Sequence, residues 1–186
     1  MKKISTLFKK DPNDLGKVIN EINPENQWAF KYGVPTRKFD GTSCVIIDGE
    51  IYKRYDVKKG RQIPYGAIAC QEADLITGHH PHWLRCDRME KSDKYFFEAF
   101  DEQEEWQDAT YELCGIKIQG NPEKINGHQL IRHGCEGLYL KDYTFEYLKE
   151  YLSNPNNDIE GIVFHHKIDG RMCKLRKSDF GIKRYS

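Results

Sequence analysis

Residues 43–47 (S-C-V-I-I) and 51–55 (I-Y-K-R-Y) are rich in strand-forming side chains and are separated by Asp48-Gly49-Glu50. Asp-Gly supplies the positive φ angles of a tight hairpin turn, so this stretch is held to two adjacent antiparallel strands. The rest of the chain has to pack around that ribbon. Further strands are expected at 95–100, 110–114, 129–132, 159–165 and 172–175. A helix fits 14–23, with Asp14 as cap and Pro24 beyond its end. A second fits 144–152, where Phe145, Leu148 and Leu152 share one face before Asn154-Pro155. No repeat, low-complexity tract or linker divides the sequence. The expectation is one α+β domain over residues 1–186, built of mostly antiparallel sheets with flanking helices.

Length and composition narrow the function classes. With 186 residues, 38% hydrophobic and 31% charged, the chain has enough apolar content for a core and a well-wetted surface. No apolar run approaches the roughly 18 residues of a membrane-spanning helix. Met1-Lys2-Lys3-Ile4 has basic residues with no apolar stretch behind them, so a secretory signal is not expected. The six cysteines (44, 70, 86, 114, 135 and 173) include no C-x-x-C pair, which favours reduced thiols in a cytoplasmic setting. Net charge is formally zero, but it is unevenly spread. Residues 98–112 hold seven acidic side chains and no lysine or arginine. The stretch from His165 onward carries Lys167, Arg171, Lys174, Arg176, Lys177, Lys183 and Arg184 against Asp169 and Asp179. Local fields of this kind can hold a phosphate backbone on a neutral protein.

Just before the hairpin stands Lys38-Phe39-Asp40-Gly41. A lysine attacks phosphorus only when deprotonated, and a free one has a pKa near 10.4, so its surroundings must favour the neutral amine. Neighbouring cations and desolvation both do so. Lys174 and Arg176 lie two apart in a predicted strand, so both leave one face. From there they can lower the pKa of Lys38, grip nucleotide phosphates and stabilise a departing pyrophosphate. Glu112 and Glu160 stand among apolar neighbours, where a carboxylate is costly unless paired or cation-bound. Gly161 leaves room beside Glu160 for close approach. Magnesium at Glu160 would offset phosphate charge, and Glu112 would accept hydrogen bonds from a ribose. A bland alternative exists for each: hairpin turn chemistry for K-x-D-G, and charged sheet rims for the rest.

K-F-D-G, then Tyr111-Glu112-Leu113, Ile159-Glu160-Gly161-Ile162-Val163 and Lys174-Leu175-Arg176, occur in an order that resembles ATP-dependent polynucleotide ligases and mRNA capping enzymes. The likeness spans roughly residues 28–180. The texture of residues 38–44, 78–83 and 120–122 is most similar to the compact RNA ligases that seal a 5′-phosphate to a 3′-hydroxyl. The resemblance implies a nucleotidyltransferase domain, ATP and Mg2+ (or Mn2+) as cofactors, and RNA with those ends as partner. It implies Lys38 as the covalent lysine, with Lys174 and Arg176 completing the catalytic set. Arg37, Asp40, Gly41, Arg54 and Glu112 would join these residues around the nucleotide, and Glu160 would meet the metal. Arg176 departs from the pattern by replacing a second lysine with a planar fork. The aromatic that usually stacks on adenine is not evident; His128 and His133 are candidates. The sequence reaches Ser186 just past the last motif, so no C-terminal accessory or oligonucleotide-binding domain is expected.

RNA would then be held by Lys53, Lys58, Lys59, Arg61, Lys177 and the basic stretch around it. Other readings remain: an inactive nucleotide- or RNA-binding protein of the same fold, or an adenylyltransferase acting on another acceptor. His79, His80, His82 and Cys86 have zinc-ligand chemistry but no standard spacing. Oligomeric state is not written in the sequence.

Overall fold

The computed structural model describes residues 3–74 and 78–184. In chain order the strands begin with β1 (Ser5–Thr6), β2 (Phe8–Asp11), β3 (Asp14–Ile22), β4 (Gly33–Lys38), β5 (Thr42–Ile47) and β6 (Glu50–Val57). They continue with β7 (Ile68–Ala69), β8 (His80–Arg85), β9 (Ala109–Gly115), β10 (His128–Arg132), β11 (Gly161–His166) and β12 (Met172–Arg176). The α-helices are α1 (Ala29–Tyr32), α2 (Lys94–Phe100) and α3 (Phe145–Ser153). Apart from the parallel pairing of β1 with β12, the ladders are antiparallel. The fold is α+β with mostly antiparallel sheets. Among the described residues no helix is long and apolar enough to cross a membrane.

The chain divides into two compact units, residues 40–133 with Lys3, and residues 4–39 with 134–184. The first is built on a six-stranded sheet in the order β10-β9-β5-β6-β8-β7. Its β5–β6 hairpin turns through Asp48 and Gly49, with φ of 50° and 73°, as the Asp-Gly pair demands. Ile46, Ile51, Tyr111, Leu113 and Leu130 bury one sheet face against Phe96 and Ala99 of α2.

The second unit holds the sheet β1-β12-β11-β4 and the β2–β3 ribbon. Alternation along β11 and β12 sends Ile162, Phe164, Cys173 and Leu175 into a core closed by Leu148 and Leu152 of α3. Pro35 is tolerated because β4 lies at the sheet edge. Lys38 is the last residue of that strand, ahead of the β5–β6 hairpin as expected.

Two expected elements have a different form. Where a helix was expected over 14–23, Asp14–Ile22 is strand β3. Leu15, Val18, Ile19 and Ile22 have helical spacing, but only Val18 is buried in β3. Pairing with β2 prevails, and Asp14, expected as a cap, instead accepts from Gly16 N–H at 3.0 Å. Residues 95–100 form a helix, not a strand. Their aromatics favour strands statistically, but that preference depends on context. Here Phe96 and Ala99 lie on one helical face and are buried, and Lys94 pairs with Glu98 one turn on at 3.2 Å.

Candidate functional site

One face of the β1-β12-β11-β4 sheet is core, and the other is polar. Across β4, β11 and β12, Lys38 stands opposite Gly161, which stands opposite Arg176; Thr36 opposes Val163, which opposes Lys174. Residues directly opposite share a face, so Thr36, Lys38, Lys174 and Arg176 all rise from the side away from Phe164 and Leu175. An antiparallel sheet with one buried and one partly open face has this alternation. Gly161 is required by close approach: a Cβ there would stand 2.3 Å from Leu175 O and 2.8 Å from Arg176 Cα. Glu160 precedes β11 and is fixed by its carbonyl, which accepts from Lys177 N–H at 3.0 Å.

The charges on this face form a graded set. Lys38 donates to the Glu160 carboxylate, and both side chains are about one-fifth exposed, 22% and 21%. Lys174 is held below the ordinary lysine value, down to about 8, by burial first and then by repulsion from Arg176 and Lys38. Arg176 donates to Asp179 Oδ1 at 2.9 Å and through Nε to Oδ2 at 3.3 Å, and Asp179 Oδ2 also accepts the Arg176 backbone N–H at 2.8 Å. Asp179 is completely buried and takes a second cation, Lys10, at 2.7 Å. Burial pushes its carboxyl up, but the hydrogen bonds from Arg176 and Lys10 outweigh this and leave it below the usual carboxylate range. Arg176 is thereby a fixed cation. Its pairing keeps the guanidinium charged against the cost of burial.

Sequence reasoning did not find Asp179, Lys10 or Thr36. The Asp179 signal was its position three residues after Arg176, the spacing of a reciprocal cap. Nothing local marks Lys10, 169 residues away in sequence. The Thr36 hydroxyl bonds Val163 O at 3.2 Å and the His165 ring at 2.9 Å, tying the floor of this face together.

The remaining nucleotide-side expectations fall in the other unit, apart from Arg37. On β9, Glu112 is buried and meets His133 Nε2 at 2.8 Å. This engages one of the two histidines proposed for adenine; the other, His128, stacks on Tyr95 with centroids 4.4 Å apart and meets Glu98 at 2.8 Å. Arg54 on β6 lies 5.2 Å from the centre of the Trp83 ring. Asp40 N–H donates to Glu123 at 2.8 Å. Gly41 is held by packing, because a Cβ would meet Leu113 O at 2.2 Å. In the second unit, Arg37 is on the core side of β4, where it reaches Glu136 at 3.4 Å and the Phe39 ring at 4.8 Å.

The five expected RNA cations separate into two groups. Lys53 pairs with Asp93, which is 1% exposed and also accepts from Asp87 N–H, so this lysine is an internal support. Lys177 is 3% exposed, and burial pushes its ammonium below the ordinary value. Lys58, Lys59 and Arg61 are exposed in the loop after β6. For the zinc alternative, no group of three or more His, Cys, Asp or Glu among the described residues could hold a metal ion. His79 pairs with Asp56, His82 bonds its neighbour's carbonyl (His80 O) at 2.7 Å, and burial raises the Cys86 thiol to about 12.

The polar face therefore brings together an amine on a carboxylate, a second amine poised near neutrality and a fixed guanidinium. Such a set has the charge to hold a polyanion and, in Lys174, a group able to exchange a proton in the physiological range. No protein-family model matches this chain, and no match is found among curated proteins.

Proposed function

We propose that this chain is an ATP-dependent RNA ligase that joins 5′-phosphate and 3′-hydroxyl ends through a lysyl-AMP intermediate. The observation that carries this reading is the convergence of Lys38, Glu160, Lys174 and Arg176 on one open sheet face, from segments up to 138 positions apart. In the first step the Lys38 Nζ lone pair forms a bond to the ATP α-phosphorus, the Pα–O bond to the β-phosphate breaks, and pyrophosphate leaves. The amine proton has an acceptor in hydrogen-bond contact, the Glu160 carboxylate. Lys174 and Arg176 counter the charge that builds on the phosphates. AMP then passes to the RNA 5′-phosphate, and the 3′-hydroxyl displaces it.

Glu160 already binds a cationic nitrogen, and a single carboxylate completed by substrate phosphates and water is an ordinary Mg2+ environment. Glu160 would hold Mg2+ or Mn2+, which supplies charge neutralisation at the phosphates. A second reading, adenylyl transfer to a different acceptor, shares the first step. It is favoured by the pairing of Lys53 with Asp93 and the burial of Lys177, which leave fewer cations for RNA.

Incubation with α-labelled ATP and magnesium should leave acid-labile label on wild-type protein and none on Lys38→Ala. Equal labelling of the two would remove Lys38 from the mechanism. Preference for GTP would turn the reading toward capping. Label without joining of any RNA would select the second reading.

A further inference from the structure

Between β6 and β7, which flank β8 in the sheet, residues 58–67 form a loop with an unusual surface. Tyr65 is 103% exposed, its ring as open to water as in an isolated extended peptide. Ile63 and Ile68 beside it are also exposed, at 45% and 43%. The loop is ordered by two turns, with Arg61 N–H on Lys58 O at 2.9 Å and Ala67 N–H on Pro64 O at 3.1 Å. Tyr65 and Gly66 are the central pair of the second turn. At its far end the loop is anchored by β7, where Ile68 and Ala69 pair with Trp83 and His82.

A single exposed tyrosine has no special meaning. Its electrostatic setting makes this one informative. From Val57 to Gln71 there is no acidic residue, while Lys58, Lys59 and Arg61 are all present and exposed. The carboxylate just upstream, Asp56, is engaged by His79 and by His80 N–H. The loop thus offers three cations on one turn and a bare aromatic ring on the next. Tyr65 lies four positions beyond Arg61, at most about 14 Å fully extended. Cations for a backbone combined with an aromatic face for a base are the two parts of a single-strand-binding surface. A duplex hides its base faces and would use only the cations.

We infer that this loop binds single-stranded nucleic acid, with Tyr65 stacking on a base and Lys58, Lys59 and Arg61 holding the flanking phosphates. The inference deepens the RNA reading above and rests on it for the choice of polymer. Stacking is independent of base identity, so the contact adds affinity without sequence preference. It places an unpaired stretch of the substrate, rather than a continuous helix, against the 40–133 unit.

The test uses the full chain and a single-stranded RNA 12-mer carrying 2-aminopurine, read by anisotropy and by quenching of that base. Tyr65→Ala should weaken binding about tenfold and abolish the quenching, whereas Tyr65→Trp should preserve both. A duplex of the same length should bind Tyr65→Ala and wild type alike. Equal single-strand binding by Tyr65→Ala and wild type would overturn the assignment, as would no strand binding by the wild type. Tyr65-dependent binding to phosphatidylserine vesicles with none to RNA would also overturn it, in favour of a membrane surface. Lysyl-AMP formation, measured in parallel, should be unchanged in Tyr65→Ala. Tyr65-dependent strand binding without lysyl-AMP would leave the loop standing and remove the ligase. Lysyl-AMP without strand binding would do the reverse.

Discussion

Lys174 shows how one residue's surroundings become a measurable property. In the unfolded chain a lysine titrates near 10.4, and in the folded protein Lys174 titrates at about 8. Between these values the unfolded chain holds a proton that the folded one has released. The contribution of this group to stability therefore rises as pH climbs from 8 to 10, and is least favourable below 8. Lys174→Met should accordingly be more stable than wild type at pH 7, by on the order of 2 kcal/mol. The advantage should fade by pH 10 in urea denaturation at stepped pH. A difference that stays constant over that range would show that the amine's charge is not its source. Which residues would meet was partly legible: Lys174 and Arg176, two apart on a strand, had to share a face. The partners that set their electrostatics were not. Asp179 and Lys10 act through a buried contact between distant segments, and no local pattern encodes such a contact.

At the scale of elements, the sequence was clear where local and tertiary preferences agree. The β5–β6 hairpin, β9 through β12 and α3 lie within a residue or two of expectation because turn chemistry and periodicity point the same way. Residues 14–23 and 95–100 misled for opposite reasons: helical spacing was overridden by pairing with β2, and aromatic strand propensity by packing on one helical face. Strand β4 went unrecognised because Pro35 argues against a strand until its edge position is known. A close dependence between elements is at Gly161, where β11 and β12 meet. Gly161→Ala should cost about 1–3 kcal/mol, since the obstructing atoms are backbone and cannot swing aside. Gly137→Ala is the matched control. Its added Cβ meets nothing within 4 Å, so a change within about 0.5 kcal/mol is expected. Urea midpoints of the two variants check the contrast, and equal losses would refute the steric account.

For the molecule as a whole, zero net charge means that any hold on nucleic acid comes from local clusters rather than from bulk attraction. With Lys53 paired to Asp93 and Lys177 buried, the exposed set after β6 numbers three. The slope of log affinity against log salt should be about −2 for single-stranded RNA, rather than the −3.5 or so expected from all five cations. A fluorescence titration across a salt series measures it, and Tyr65→Ala should lower the line without tilting it. The topology also has a temporal consequence. Lys38 acquires its partner Glu160 across 122 residues of sequence, and β4 joins its sheet only when β11 exists. Long loops must be closed before such pairings return any free energy, which makes them slow. During synthesis, a ribosome-bound chain extending only to residue 150 carries the lysine without its carboxylate or its companion cations. The Lys38–Glu160 pair and its companion cations Lys174 and Arg176 are therefore assembled late and at once, when the segment containing β11 and β12 emerges and docks.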